Sequence, residues 1–447
     1  MGIEPETDRG EPPTVQRSII APAERVTNLR WGIAILLGIG VLINYFDRVN
    51  LTVAGPSLRK EFGIDEIQFG YLLSGFAWTY AVLQIPVGVF LDRFGVVIIG
   101  RATALLWSIA SGLTALAIGF WTIFASRLLL GVAETPTFPI NAKAIGYWFP
   151  TKERGLATAI FDSAAKLATG IGIPFVSVIL FYYGWRATFI VTAILSFLFF
   201  LGFYAFYRNP SEDKRLTHAE RTYITEGGAQ PEGLPTTGNV GTALGYLLMQ
   251  RKVWGLTIGF AAYGYSFYLL LTWLPGYLVQ TYHMDVIKTG GYAMIPWIIA
   301  AIADLIVGGW LVDYLIQRGF EPTRVRKTII VIGMLMGLTI IGAAFTTNPN
   351  IAIVWITIAL TGLACTAPIG WSIPGLIAPK GGVGSIGGIM NFFNNVMGIL
   401  APIVTGYIVA GTSSFANAFI TAAVVLLIGI VSYVFILGKI EPIPDPA

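Results

Sequence analysis

Asp47 and Arg48 stand side by side within Asn44-Tyr45-Phe46-Asp47-Arg48-Val49-Asn50, inside an apolar run that begins at Trp31. Near the centre of a bilayer each such charge costs roughly 2.5–3.5 kcal/mol, so intramembrane charges default to functional sites. The alternative is that both snorkel to the interface, because Pro56 and Arg59-Lys60-Glu61 soon follow. The pair lies more than one turn from either end of the run, which favours a site. A second pair, Arg127 and Glu134, is separated by about two helical turns, so both side chains project from one face roughly 10 Å apart. They are either an inert stabilising pair or groups facing other helices or a water-filled cavity. Buried ion pairs seldom give much net stability, which weakens the first option. The residue types divide the chemistry. Low dielectric raises a carboxyl's pKa and an adjacent guanidinium lowers it again, so a buried acid suits proton exchange. Arginine stays charged, but it holds a carboxylate through two parallel hydrogen bonds.

Other polar groups sit in comparable surroundings. Asp162 and Lys166 are spaced i,i+4 and either neutralise each other or leave Lys166 as a second cation for a dianion or sulfonate. Asp304 is a water-exposed or hydrogen-bonded acid, or a third proton site. Trp371, Ser372, Asn391, Asn394 and Asn395 are interhelical ties or ligand contacts, since asparagine in hydrocarbon costs free energy unless hydrogen-bonded. With one cysteine, Cys365, and two histidines, His218 and His283, in predicted loops, the sequence offers no His/Cys metal centre and no Cys–His dyad. No cofactor and no enzymatic activity are expected.

The elements that must position these groups follow from composition. The 447 residues are 55% hydrophobic and only 12% charged, against about 25% charged in soluble domains, so the chain is a polytopic membrane protein. Apolar segments of about 20 residues predict helical spans near 31–54, 68–91, 96–117, 120–146, 155–182, 185–207, 253–280, 289–313, 327–346, 350–376, 383–410 and 415–438. The expected organisation is a cytoplasmic tail over 1–30, a six-helix bundle over 31–207 and a cytoplasmic loop over 208–252. A second six-helix bundle over 253–438 and a short cytoplasmic tail over 439–447 complete it. Of the 28 Lys and Arg, only Arg59, Lys60, Arg186 and Lys288 fall in loops away from the termini, which places both termini in the cytoplasm. The net charge of +4 therefore reflects topology and implies no nucleic-acid partner. The halves share a repeat. Gly88-x-x-x-Asp92-Arg93-Phe94-Gly95 closes the second span, and Gly309-x-x-x-Asp313 with Arg318-Gly319 closes the eighth. Glycine lets a neighbouring helix come close, and an acid there can face that helix's positive N-terminus.

Twelve helices in two halves with this repeat resemble the major facilitator superfamily. Tyr45-Phe46-Asp47-Arg48-Val49-Asn50-Leu51, Phe76-Ala77-Trp78-Thr79-Tyr80 with Gln84-Ile85-Pro86, and Arg127 through Trp148-Phe149-Pro150 narrow the likeness. They resemble the anion:cation symporters, which include bacterial galactonate and glucarate transporters and are related to animal sialin and vesicular glutamate carriers. The resemblance implies a monomeric, proton-coupled importer of a small organic anion in the bacterial inner membrane. The anion is a sugar acid: an aldonate, aldarate or uronate. By the same resemblance Asp47 and Glu134 carry protons, Arg127 keeps Asp47 ionised, and Arg48 grips the substrate. Tyr45, Tyr80, Lys166, Trp371, Ser372 and Asn391 complete the substrate site. Gly88, Asp92, Arg93, Gly309 and Asp313 form the conformational motif. The chain departs from the family at Phe161-Asp162-Ser163-Ala164-Ala165-Lys166, where a sugar-contacting glutamine falls on Ala165, which argues against galactonate itself. An antiporter or facilitator of another carboxylate or sulfonate would share the fold and Arg48.

Overall fold

Within a bilayer the backbone must satisfy its own hydrogen bonds, and every apolar segment here is helical, with no strand among the described residues. The computed structural model describes residue 2 and residues 27–150, 153–232, 245–379 and 383–444. Within them the side chains of residues 85, 88, 89, 92, 155, 159, 309, 313, 383 and 384 also lie outside the description. Most of the expected tail over 1–30, part of the loop over 208–252, and the Gly88, Asp92, Gly309 and Asp313 side chains thus fall outside it.

The first half comprises α1 (Leu29–Phe62), α2 (Glu66–Ala115), α3 (Phe120–Glu134), α4 (Thr137–Trp148) and α5 (Arg154–Phe206). A short α6 (His218–Glu226) lies in the central loop. The second half comprises α7 (Arg251–Tyr282), α8 (Val286–Ala303), a π-helix over Asp304–Leu311, α9 (Val312–Gln317), α10 (Pro322–Gly337) and α11 (Ile340–Ala344). It ends with α12 (Pro349–Ile377), α13 (Val383–Thr412), α14 (Ala416–Val431) and a second π-helix over Ser432–Ile436. Nine helices among the described residues are long and apolar enough to cross a membrane. One of them, Leu156–Phe206, doubles back at Gly184, and residues 66–91 and 120–148 supply the remaining crossings, giving twelve.

The reversals rest on glycine. Gly95 breaks α2 at φ +75°, and Gly319 follows α9 at φ +92°, a left-handed conformation that side chains with a Cβ rarely adopt. Both glycines end a copy of the repeated motif, so the repeat extends to backbone geometry. Phe76 before the Gly95 break and Trp107 after it reach neighbouring residues of α1, as a hairpin requires.

Three details differ from continuous spans. The fourth crossing breaks between α3 and α4 at Thr135-Pro136, where proline removes a donor and Thr135 Oγ1 turns back onto the Gly131 carbonyl at 2.5 Å. The eighth widens into a π-helix at Asp304. Near the start of α1, Arg30 is buried, with Nε 2.8 Å from Glu153 and Nη1 2.9 Å from the wholly buried Glu220 of α6. The central loop is therefore docked onto the first bundle at α6.

Between the halves, α5 packs on α8, α2 on α13 and α1 on α7. These contacts tighten on the face away from the termini. A Cβ on Gly70 would lie 2.7 Å from the Pro402 carbonyl oxygen, and one on Gly290 2.7 Å from Ser177 Oγ. Toward the termini, a Cβ on Gly387 or Gly388 would meet nothing within 4 Å outside its own helix among the described residues, and Val82 and Leu156 are exposed.

Candidate substrate and proton site

Successive residues on a helix point about 100° apart, so Asp47 and Arg48 serve different surroundings. Asp47 is fully buried and faces the third and sixth crossings. Trp107 Nε1 donates to its Oδ2 at 2.5 Å, Ser111 Oγ to its Oδ1 at 2.6 Å, and Ser196 Oγ to its Oδ2 at 3.0 Å. Ser196 also has the Thr192 carbonyl within 2.8 Å. A hydroxyl both donates and accepts, so Ser196 can turn to that carbonyl and accept from a protonated Asp47. The pocket thus suits either state of the acid. Arg127 is buried as well, but its Nη1 reaches the main-chain carbonyl of Asp47 at 3.4 Å and its Nη2 donates to Thr114 Oγ1 at 2.8 Å. Its hydrogen bonds fix the local backbone rather than the carboxylate.

Arg48 turns to Glu134, with Nε 3.1 Å from Oε2 and both side chains at least nine-tenths buried. Its guanidinium lies 4.7 Å from the ring centre of Tyr45, 4.4 Å from that of Phe76 and 5.2 Å from that of Tyr80, three faces that attract a cation. Glu134 is the last residue of α3, so the Thr135-Pro136 break lies at the site. Among the described residues, Arg48 Nη2 and Glu134 Oε1 have no hydrogen-bond partner. Arg48 and Arg127 line a small cavity shared with Tyr268, Thr272 and Gly398 of the second half.

Lys166 sits in a second polar cluster. Its Nζ lies 3.1 Å from Asp162 and 2.9 Å from Asp304, the first residue of the π-helix. Asp304 is 4% exposed and bonded to Lys166, which excludes the water-exposed reading. Among the ion pairs between described residues, Lys166–Asp304 is the one that joins the two halves.

In the second half the expected residues are more dispersed. Asn395 donates to the main-chain oxygen of Asn391 at 2.8 Å and to its Oδ1 at 3.2 Å, and Tyr268 donates to Asn395 at 3.4 Å. Asn391 thereby connects to the cavity through Tyr268. Trp371 is half exposed against Phe260, and Ser372 donates to the Ile369 carbonyl; neither lines the cavity at Arg48. Arg93 is exposed, with its guanidinium 5.4 Å from the Phe94 ring. Trp107, Ser111, Ser196 and Tyr268 do not stand out in the linear pattern. The available signal is the i,i+4 spacing of Trp107 and Ser111 on one face of a span.

A family model described as Major Facilitator Superfamily matches residues 37–402. "Uncharacterized transporter YybO" of Bacillus subtilis (strain 168) is 40% identical, over 94% of this chain and 97% of its own length. "Probable galactarate/D-glucarate transporter GarP" of Escherichia coli (strain K12) is 34% identical, over 92% and 95%. "D-galactonate transporter" of Escherichia coli O6:H1 is 32% identical, over 91% and 95%. Among solved structures, a bacterial homolog to the human lysosomal transporter Spinster superposes with a TM-score of 0.74 at 18% identity, over 91% of this chain and 96% of that one. At that identity the likeness is one of fold.

Proposed function

The chain belongs to the major facilitator superfamily and is a multi-pass membrane transporter, not an enzyme; on that premise we propose that it is a proton-coupled symporter importing a small organic anion, a sugar acid, across the bacterial inner membrane. One observation carries this reading: the buried Arg48–Glu134 ion pair, in which each partner keeps one unsatisfied atom. A proton on Glu134 removes the anion that occupies Arg48. The guanidinium fork then takes the substrate carboxylate through parallel hydrogen bonds. Substrate and deprotonated Glu134 thus compete for one cation, which couples anion to proton. Asp47 is the second acid of the cycle, and Arg127 holds its backbone in place.

The transporter acts as a monomer, with both termini cytoplasmic as the loop cations argue. The tight contacts at Gly70 and Gly290 then close the outer side, and this conformation opens inward. The Gly88–Arg93 and Gly309–Asp313 segments act at the inner turns as the halves rock around the midplane. The drive suffices. One pH unit is worth about 1.4 kcal/mol, and each net charge gains about 2.3 kcal/mol per 100 mV.

The test is uptake into proteoliposomes acidified outside. Accumulation of a labelled sugar acid above equilibrium, abolished by Arg48→Gln, is the expected result. Net uptake that is left intact in Glu134→Gln would instead make the protein a facilitator or antiporter that needs no proton.

A further inference from the structure

We infer that Asp162, Lys166 and Asp304 form a second subsite that takes the hydroxylated end of a monocarboxylate and rejects a second carboxylate, so that aldonates and uronates are carried in preference to aldarates. The inference rests on the reading that Arg48 holds the substrate's carboxylate. Lys166 is the one cation of the cluster and is already held by two acids, at 3.1 and 2.9 Å. Three ionised groups of this kind sum to one surplus negative charge. Lys166 and Asp304 are the desolvated pair, whereas Asp162 has 39% of its side chain exposed. A second carboxylate arriving here meets repulsion and finds no free cation. Hydroxyls find acceptors. Among the described residues, Asp304 Oδ1 is buried without a hydrogen-bond partner, and the outer face of Asp162 is open. An unsatisfied buried acceptor costs free energy that a donated O–H restores.

The two subsites are joined by aromatic side chains. Tyr45 carries the Arg48 guanidinium on its ring and interacts electrostatically with Asp162 and Lys166. Tyr263 is buried within electrostatic range of Tyr45, Lys166, Asp162 and Asp304. A ligand crossing these rings from Arg48 presents its far end to the acids. The match is therefore negative at one end and hydrogen-bond donating at the other.

D-gluconate and D-glucarate differ only at the terminal carbon, as do D-galactonate and galactarate, so each pair isolates the second charge. Calorimetric titration of the purified full-length protein, with both carboxylates ionised, should favour the aldonate of at least one pair by about tenfold or more. Asp304→Asn makes the cluster neutral and should reduce that preference by about tenfold, and Asp162→Asn should act in the same direction. Equal or tighter binding of the aldarates by the wild type overturns the subsite. An unchanged ratio in both variants does so too, and the wild-type comparison stands even where a variant fails to fold. The two readings fail differently. Binding that is lost in Arg48→Gln but does not discriminate in the wild type refutes the second subsite alone. Wild-type protein that binds none of the four acids refutes the carboxylate site at Arg48, and this inference with it.

Discussion

Arg48 and Glu134 meet through one hydrogen bond, Nε to Oε2 at 3.1 Å, although a guanidinium and a carboxylate can make two. The remaining Arg48 Nη2 and Glu134 Oε1 have no partner among the described residues. On the function proposed above, a buried pair left half-made is poised for exchange, because a ligand that supplies two oxygens satisfies Arg48 better than this single contact does.

Glu134→Gln keeps the shape and the acceptor but removes the charge that competes for Arg48. Substrate binding and the exchange of labelled for unlabelled anion should persist in this variant, while accumulation driven by external acid disappears. Exchange and accumulation assays on the same proteoliposomes separate the two. Loss of both together would assign Glu134 a structural role.

Gly70→Ala should disfavour the state described above, because the new Cβ meets the Pro402 carbonyl oxygen, which is backbone and cannot swing away. Overpacking of this kind costs about 1–3 kcal/mol, which shifts the balance toward opening at Gly70 by roughly fivefold or more. The readout is labelling of a cysteine introduced as Thr52→Cys, on the cavity wall, by an impermeant thiol reagent applied at that face. Cys365, the only native cysteine, is buried. Unchanged labelling would count against closure at Gly70.

Ser111→Ala should lower thermal stability in detergent, since it removes a 2.6 Å donor from a fully buried carboxylate, a loss of about 1–3 kcal/mol. In an Asp47→Asn background the same substitution should cost less. A double-mutant cycle measures the coupling, and additive effects would mean that Ser111 does not act through Asp47.

Arg30→Met leaves Glu220 buried without its cation, and breaking such a pair costs about 3–5 kcal/mol. The expected outcome is release of α6, seen as faster proteolysis within residues 208–252. Adding Glu220→Leu should restore much of the resistance, because the orphaned charge is then gone. Equal cleavage in wild type and Arg30→Met would show that the salt bridge does not hold the loop.

The crossings were legible because a bilayer imposes length and hydropathy on each one separately. Each of the twelve can be recognised one at a time from its own length and hydropathy; the break of the fourth at Thr135-Pro136 is the detail that hydropathy does not carry. Asp47, Arg48, Arg127 and Glu134 were legible as misfits in apolar runs. Their partners were not. Which acid faces which arginine depends on the rotation and depth of separate helices, and neither is carried by periodicity along one strand of sequence. Hence the Arg127 hydrogen bond to the Asp47 main-chain carbonyl and the pairing of Arg48 with Glu134 could not be read in advance. The Lys166–Asp162 pair was readable because i,i+4 spacing is local. Its third member, Asp304, is 138 positions away by its numbering, in the other half. The π-helix that begins there left no mark in composition, since Asp304–Leu311 is otherwise ordinary apolar helix sequence.

The three rings about Arg48 have a kinetic consequence. Tyr45, Phe76 and Tyr80 surround the guanidinium while it is paired with Glu134. On the cycle proposed above, the cation passing from Glu134 to cargo need not gather a water shell and shed it again, which would lower the hand-over barrier without tightening either bound state. A faster turnover at unaltered affinity is what such an aromatic lining contributes.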